Sequence, residues 1–163
     1  MTAASLEIVC ARTPEHLDGL RFLMRGLAAH FSELGLGECP ADAFDAELEG
    51  EGALYLEPEG RMLLAREDGV PVGCAMMRQL PDGTCEVRRV FVAPGARRKG
   101  VARSMMLRMM DEARRAGYDR MRLVTGAGFS SAISLYESLG FRHVPPYRPT
   151  TWTDVACMEA DLT

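Results

Sequence analysis

The sequence predicts an α/β (α+β) fold: one mixed, mostly antiparallel twisted sheet flanked by helices on both faces. Three observations carry this. A chain of 163 residues, 47% hydrophobic and 26% charged, has the size and balance of one folded unit, so residues 1–163 are read as a single domain. Two Asp-Gly pairs, Asp68-Gly69 and Asp82-Gly83, divide three apolar runs into an antiparallel meander. Downstream the pattern becomes helix, strand, helix and two strands, which makes the sheet mixed and puts helices on both of its faces.

The elements follow in order. Residues 5–11 read as a first strand. Thr13-Pro14-Glu15 supplies an N-cap, a proline at the first helical position and an acid in the first turn. Leu17, Leu20, Met24, Leu27, Phe31 and Leu34 then recur at spacings of three and four, the buried stripe of an amphipathic helix. A break from Gly35 to Pro40 precedes a shorter acidic helix near 41–49. Strands near 61–67, 72–80 and 85–92 form the meander. A two-residue turn at 82–83 would set Cys74 opposite Phe91 and Cys85 opposite Leu80. Pro94-Gly95 and a basic loop lead into a helix from about 100 to 116, ended by Gly117, whose Met105, Met106, Met109 and Met110 read as core filler. A strand at 119–125, a helix near 130–139 closed by Gly140, and strands near 141–144 and 154–162 complete the chain.

Composition narrows function. No apolar run reaches the roughly 18 residues that cross a bilayer, and the N-terminus lacks a basic flank before a long apolar stretch, so a cytoplasmic protein without a membrane partner is expected. Cys10, Cys39, Cys74, Cys85 and Cys157 are odd in number and scattered, and three histidines are equally dispersed; buried free thiols and no metal site are expected. The net charge of −4 is unevenly spread: residues 1–87 carry 6 basic and 16 acidic side chains, residues 88–122 carry 11 and 3, and the remainder 2 and 4. A basic band within an acidic chain points to a local anionic ligand. Nucleic-acid binding is disfavoured by the acidic first half and by the lack of aromatics interleaved between 97 and 117.

The centre of that band, Arg97-Arg98-Lys99-Gly100-Val101-Ala102-Arg103, lies between a strand and a helix. Backbone N–H groups at a helix start have no intrahelical partner, the helix dipole adds partial positive charge, and Gly100 admits a ligand close to the main chain. The flanking cations can reach further phosphate oxygens. A P-loop is excluded because Val101-Ala102 stands where Lys and Ser/Thr are required. Gly126-Ala127-Gly128, near the end of the chain with no acid about 20 residues on, is read as a turn and not as a dinucleotide fingerprint. The outer members of the band, Arg114, Arg115, Arg120 and Arg122, are read as solvated surface.

These residues also resemble a known family. Arg97-x-x-Gly100-x-Ala102 resembles the (Q/R)xxGx(G/A) signature of the GNAT N-acetyltransferases, and Ala132 through Phe141 (AISLYESLGF) resembles their second signature, AxxLYxxxGF. The flanking segments 85–92 and 140–147 resemble a bacterial subgroup whose acceptors are mostly unassigned. The resemblance implies acetyl-CoA as donor. Its pyrophosphate would lie on the N–H groups of residues 98–103, and its pantetheine arm would pair with Val90, Phe91 and Val92, beside a cleft opened by a bulge in that strand. Cofactor contacts are therefore expected from Val90, Phe91, Val92, Arg97, Arg98, Lys99, Gly100, Val101, Ala102 and Arg103. Many members carry Asn where this chain has Phe129, so Phe129 is expected to pack against the arm or the acceptor.

Acetyl transfer to an amine needs a neutral nucleophile, a stabilised oxyanion and a proton for the departing thiolate. An alkyl ammonium of pKa ~10.4 must lose a proton first. Glu86, eleven residues before Arg97 as in the family's histone acetyltransferases, is the candidate base; the alternative is an ion pair with Arg78 or Arg88. Tyr136 falls on the tyrosine that serves the leaving sulfur, and a backbone N–H near Val92 would meet the oxyanion. The acceptor expected is a primary amine of a small molecule, amino acid or peptide. Nine carboxylates and no Lys or Arg between residues 26 and 60 suggest a cationic one, against the alternative of a solvated acidic face. Tyr147 and Trp152 are candidates for lining its pocket. A CoA-binding regulatory module without turnover is the alternative function. A homodimer, the commonest closed assembly, is compatible with the sequence.

Overall fold

The computed structural model describes residues 3–35, 45–46, 52–150 and 152–163. Its elements are β1 (Leu6–Cys10), α1 (Pro14–Glu33), β2 (Arg61–Glu67), β3 (Val70–Gln79), β4 (Cys85–Val92), α2 (Val101–Arg115), β5 (Arg120–Gly126), α3 (Ser130–Ser138), β6 (Arg142–Val144) and β7 (Val155–Asp161). The helix expected near 41–49 lies outside the described residues apart from Asp45 and Ala46.

The strands form one seven-stranded sheet in the order β1-β2-β3-β4-β5-β7-β6. Only β4 and β5 pair in parallel. Helix α1 covers one face. Its Thr13 cap accepts the His16 N–H, and Leu20, Leu23, Met24 and Leu27 pack on Leu64, Cys74, Met76 and Phe91. Leu34, expected to end the stripe, is exposed at the mouth of a cleft. Helices α2 and α3 cover the other face, where Met106, Met109, Met110 and Tyr136 pack on Leu63, Met77, Val87, Met121 and Leu123. All four α2 methionines are buried, as expected of core filler. Cys10, Cys74, Cys85 and Cys157 are buried free thiols, and Cys39 lies outside the described residues.

The β3–β4 register departs from expectation in a way that shapes the site. Cys85 faces Gln79, not Leu80, and Leu80 N–H bonds to Thr84 O across a three-residue loop, Pro81-Asp82-Gly83, with Gly83 at φ 80°. A three-residue hairpin ending in a left-handed glycine replaces the two-residue turn. Cys74 nonetheless faces Phe91 as expected, because one extra residue enters β4 between the Met76↔Arg88 and Cys74↔Phe91 pairs. That residue lies in a bulge at Arg89-Val90, and Arg89 adopts φ 57°. The bulge bends β4 away from β5. The two strands pair only at Cys85↔Met121 and Glu86↔Arg122, while β5 pairs with β7 through Gly126↔Val155.

Candidate active site

The divergence of β4 and β5 opens a cleft of about 1400 Å³, bordered by α1, the start of α2, α3 and the loop after β6. Alternation along β4 decides which backbone groups face it. Ala93 N–H donates to Val72 O on the β3 side at 2.8 Å, so the N–H and C=O of Val92 turn away from β3 toward the open edge. Val90, Phe91 and Val92 all line the cleft. The Val92 carbonyl there accepts from Arg97 Nε at 3.0 Å, and the same guanidinium sits 5.7 Å from the centre of the Phe91 ring.

At one end of the cleft, α2 begins at Gly100, an N-cap at φ 79° with no side-chain cap. Arg98 is also left-handed at φ 63°, a conformation that costs a non-glycine residue roughly 1–2 kcal/mol, so the surrounding structure imposes the loop. Among the described residues, no backbone carbonyl accepts from the N–H groups of residues 98–103; the first to bond is Ser104, to Gly100 O. These amides and the α2 dipole form a ready anion seat. Arg97, Arg98, Gly100, Val101, Ala102 and Arg103 line the cleft, and Arg103 is steadied by Ser138 Oγ at 2.9 Å. Lys99 turns aside to pair with Glu67 at 3.3 Å.

Tyr136 enters from α3. Its carbonyl accepts the N–H of Phe141 where α3 ends, and its ring lies 5.8 Å from that of Phe141, so backbone and ring are both fixed. The side chain is buried but lines the cleft, and its phenol bonds to no described residue. Burial pushes its pKa up to about 12, so the hydroxyl stays protonated at neutral pH.

Glu86 has a different setting from the one its spacing suggested. It is fully buried. Arg78 at 3.1 Å and Arg88 at 3.5 Å face Oε1, while Arg148 at 2.6 Å and the Tyr147 hydroxyl donate to Oε2. Burial acts to raise its pKa, but the bonds from Tyr147 and Arg148 and the charges of Arg148 and Arg78 outweigh it and hold the carboxyl below its usual range. A carboxylate so engaged is a weak acceptor for a proton from an ammonium. It ties the loop after β6 to β4. Sequence spacing could not reveal partners 61 and 62 positions away.

Arg148, Thr150 and Trp152 line the cleft, but Tyr147 does not; its ring lies 5.2 Å from the Arg122 guanidinium. Arg122 is not solvated surface as expected: it binds Glu159 at 2.8 Å beneath that ring. Trp152 meets Phe31 edge-on at 5.1 Å and Phe129 at 6.2 Å, so Phe129 supplies an apolar wall. The described carboxylates of the acidic segment do not line the cleft. Asp45 pairs with Arg21 and Arg25, Glu57 with Arg12, and Glu33 is exposed. Glu38, Asp42, Glu47, Glu49 and Glu51 lie outside the described residues.

A bulge-splayed cleft thus brings together helix-start amides without backbone partners among the described residues and a protonated tyrosine. Comparison with known proteins names the class. The model of the acetyltransferase (GNAT) family matches residues 24–141, and the chain belongs to that family. An IAA acetyltransferase of Azospirillum brasilense is 39% identical over 94 residues, which span 57% of this chain and 61% of that protein, less than two thirds of its length. A GNAT-family acetyltransferase of Staphylococcus aureus Mu50 shares the fold at 19% identity with a TM-score of 0.78, covering 98% of this chain and 100% of that one. The PaiA N-acetyltransferase of Thermoplasma acidophilum, solved in complex with coenzyme A, does so at 17% identity with a TM-score of 0.73, covering 96% and 99%.

Proposed function

We propose that this protein is an acetyl-CoA-dependent N-acetyltransferase that moves an acetyl group directly to a primary amine of a small molecule, amino acid or peptide. One observation carries the reading: residues 98 and 100–103, whose amides have no backbone partner among the described residues, and the protonated Tyr136 line the same cleft beside the open edge of β4. The residues fit acetyl-CoA. The amides of 98–103 with Arg97, Arg98 and Arg103 would take the pyrophosphate, and the outward carbonyl of Val92 would take the pantetheine arm, with the Arg97 guanidinium leaving that carbonyl. Bound there, acetyl-CoA supplies the activated thioester.

The chain's own groups divide the remaining work. The Val92 N–H, on a strand already fixed in place, would meet the acyl oxygen with little reorganisation. Tyr136 holds a proton at its phenol oxygen for the sulfur. Glu86 anchors Arg148 and Tyr147 and is not the base in this scheme; removal of the ammonium proton falls to water. We place the reaction in the cytoplasm, where the free thiols of this chain persist.

The test is release of free CoA from acetyl-CoA across an amine panel, with CoA affinity measured in parallel. Amine-dependent release establishes the transferase. Tight CoA binding without release by any amine would make the protein a CoA-responsive module, and no CoA binding would remove both readings.

A further inference from the structure

We infer that the acceptor amine carries an aromatic ring, and that Phe31, Phe129 and Trp152 form the seat for it. This rests on the transferase reading above and names the acceptor class of the same site.

The three side chains come from segments that only the fold brings together. Phe31 stands near the end of α1 and packs at the edge of the core on that face of the sheet. Phe129 closes the turn after β5. Its N–H donates to Gly126 O at 3.0 Å, and its ring lies so near the Gly126 main chain that a Cβ there would meet Cε2 at 3.2 Å. Trp152 comes from the loop between β6 and β7, where Thr150 Oγ1 donates to its carbonyl at 2.8 Å. The indole meets both phenyl rings at interplanar angles of 83°, with centroids 5.1 Å from Phe31 and 6.2 Å from Phe129. These are edge-to-face contacts, an arrangement that aromatic pairs prefer, and unlike stacking they leave ring faces for a further ring to meet.

The wall is open to a ligand. All three side chains line the cleft and are only half-buried, and Leu34 at its mouth is 48% exposed. Apolar surface held open inside a cleft gains from a ligand group that covers it. Position assigns that group to the acceptor and not to the coenzyme. In the transferase reading the pyrophosphate lies at the start of α2, a helix that packs on the sheet face opposite α1, and the arm follows the Val92 edge of β4 between the two faces. The α1 face, to which Phe31 belongs, is left for the acceptor, whose amine meets the thioester where β4 and β5 part. Because the wall is already fixed by Gly126, Thr150 and the α1 core, little side-chain freedom is lost when a flat ring covers it.

The experiment measures CoA release with pairs of acceptors that differ by one phenyl ring: phenethylamine and ethylamine, phenylalanine and alanine, phenylalanylglycine and alanylglycine. The expected result is kcat/KM at least about tenfold higher for the aromatic member of each active pair. Trp152→Ala should raise KM for the aromatic acceptor at least about tenfold more than for its partner, with Trp152→Phe recovering part of the difference and CoA affinity reporting an intact fold in both variants. Trp152 is the single tryptophan of the chain, so its fluorescence in the CoA-saturated protein should respond saturably to the aromatic acceptor. Equal use of both members of every active pair, an unresponsive Trp152, or a Trp152→Ala effect that is equal on both members or falls chiefly on KM for acetyl-CoA overturns the inference and leaves the transferase intact. Absence of release with every amine instead overturns the transferase reading on which it depends.

Discussion

Replacing Tyr136 with phenylalanine probes one hydroxyl while keeping its surroundings. The ring contact with Phe141 at 5.8 Å survives, and the phenol bonds to no described residue, so the fold should lose little stability. The kinetic cost follows from the group's acidity. At a pKa of about 12 the phenol is some three units less acidic than a thiol near ~8.5, so it stabilises the departing sulfur chiefly as a hydrogen-bond donor. A hydrogen bond to a charged partner contributes about 1.5–3 kcal/mol, and at ~1.36 kcal/mol per decade its loss lowers kcat about 10- to 160-fold. Steady-state CoA release at saturating acceptor reads kcat, and the KM for acetyl-CoA should move little. Thioesters with more acidic thiols should shrink the deficit, since their sulfur needs less help. A Tyr136→Phe enzyme with unchanged kcat, or a deficit independent of leaving-group acidity, refutes the role.

Glu86→Gln removes the negative charge that Arg148 faces in a buried site, and urea titration should show a loss of about 3 kcal/mol. Because the folded carboxyl is held below its usual range, its contribution is present above the unfolded value of ~4.3 and fades as pH falls through the lower folded one. Acid titration of the variant should therefore be flatter than wild type below pH ~4. Gly100→Ala puts a side chain at φ 79° on the N-cap of α2; thermal unfolding should show a cost of roughly 1–2 kcal/mol, and calorimetry weaker CoA binding. Gly60→Ala would place a Cβ 2.3 Å from the Leu54 carbonyl oxygen, so the melting temperature should fall by the equivalent of at least about 1–3 kcal/mol.

Local chemistry made much of the fold legible. Thr13-Pro14-Glu15 marked the start of α1, Gly117 and Gly140 marked the ends of α2 and α3, and the spacing of Leu20, Met24 and Leu27 marked a face that is indeed buried. These signals act within a turn or two of chain. The β3–β4 hairpin shows where such reasoning fails. Asp82-Gly83 fits a two-residue turn, but Leu80 and Thr84 pair around three residues, and the one-residue difference is absorbed only at Arg89. Nothing in Val-Arg-Arg-Val specifies a bulge, which lies where β4 is paired with β3 on one side and no longer with β5 on the other. The ion-paired setting of Glu86 escaped sequence reasoning for the same reason. Its motif spacing was local information, whereas its carboxyl is governed by Arg148 and Tyr147 in a loop that folds back across the sheet.

The sequence by itself determined the order of elements, the family signatures and the basic loop at residues 97–103, because each depends on side chains and backbone that are neighbours along the chain. Tertiary structure alone decided that β4 and β5 part after Glu86↔Arg122 and that Glu86 is spent on arginines. It also decided that His30, Arg88, Arg89 and Arg148 line the cleft while Asp45 and Glu57 pair with arginines outside it. Those features are sums of contacts between segments tens of residues apart, and charge counted along a chain does not tell which charges meet in space.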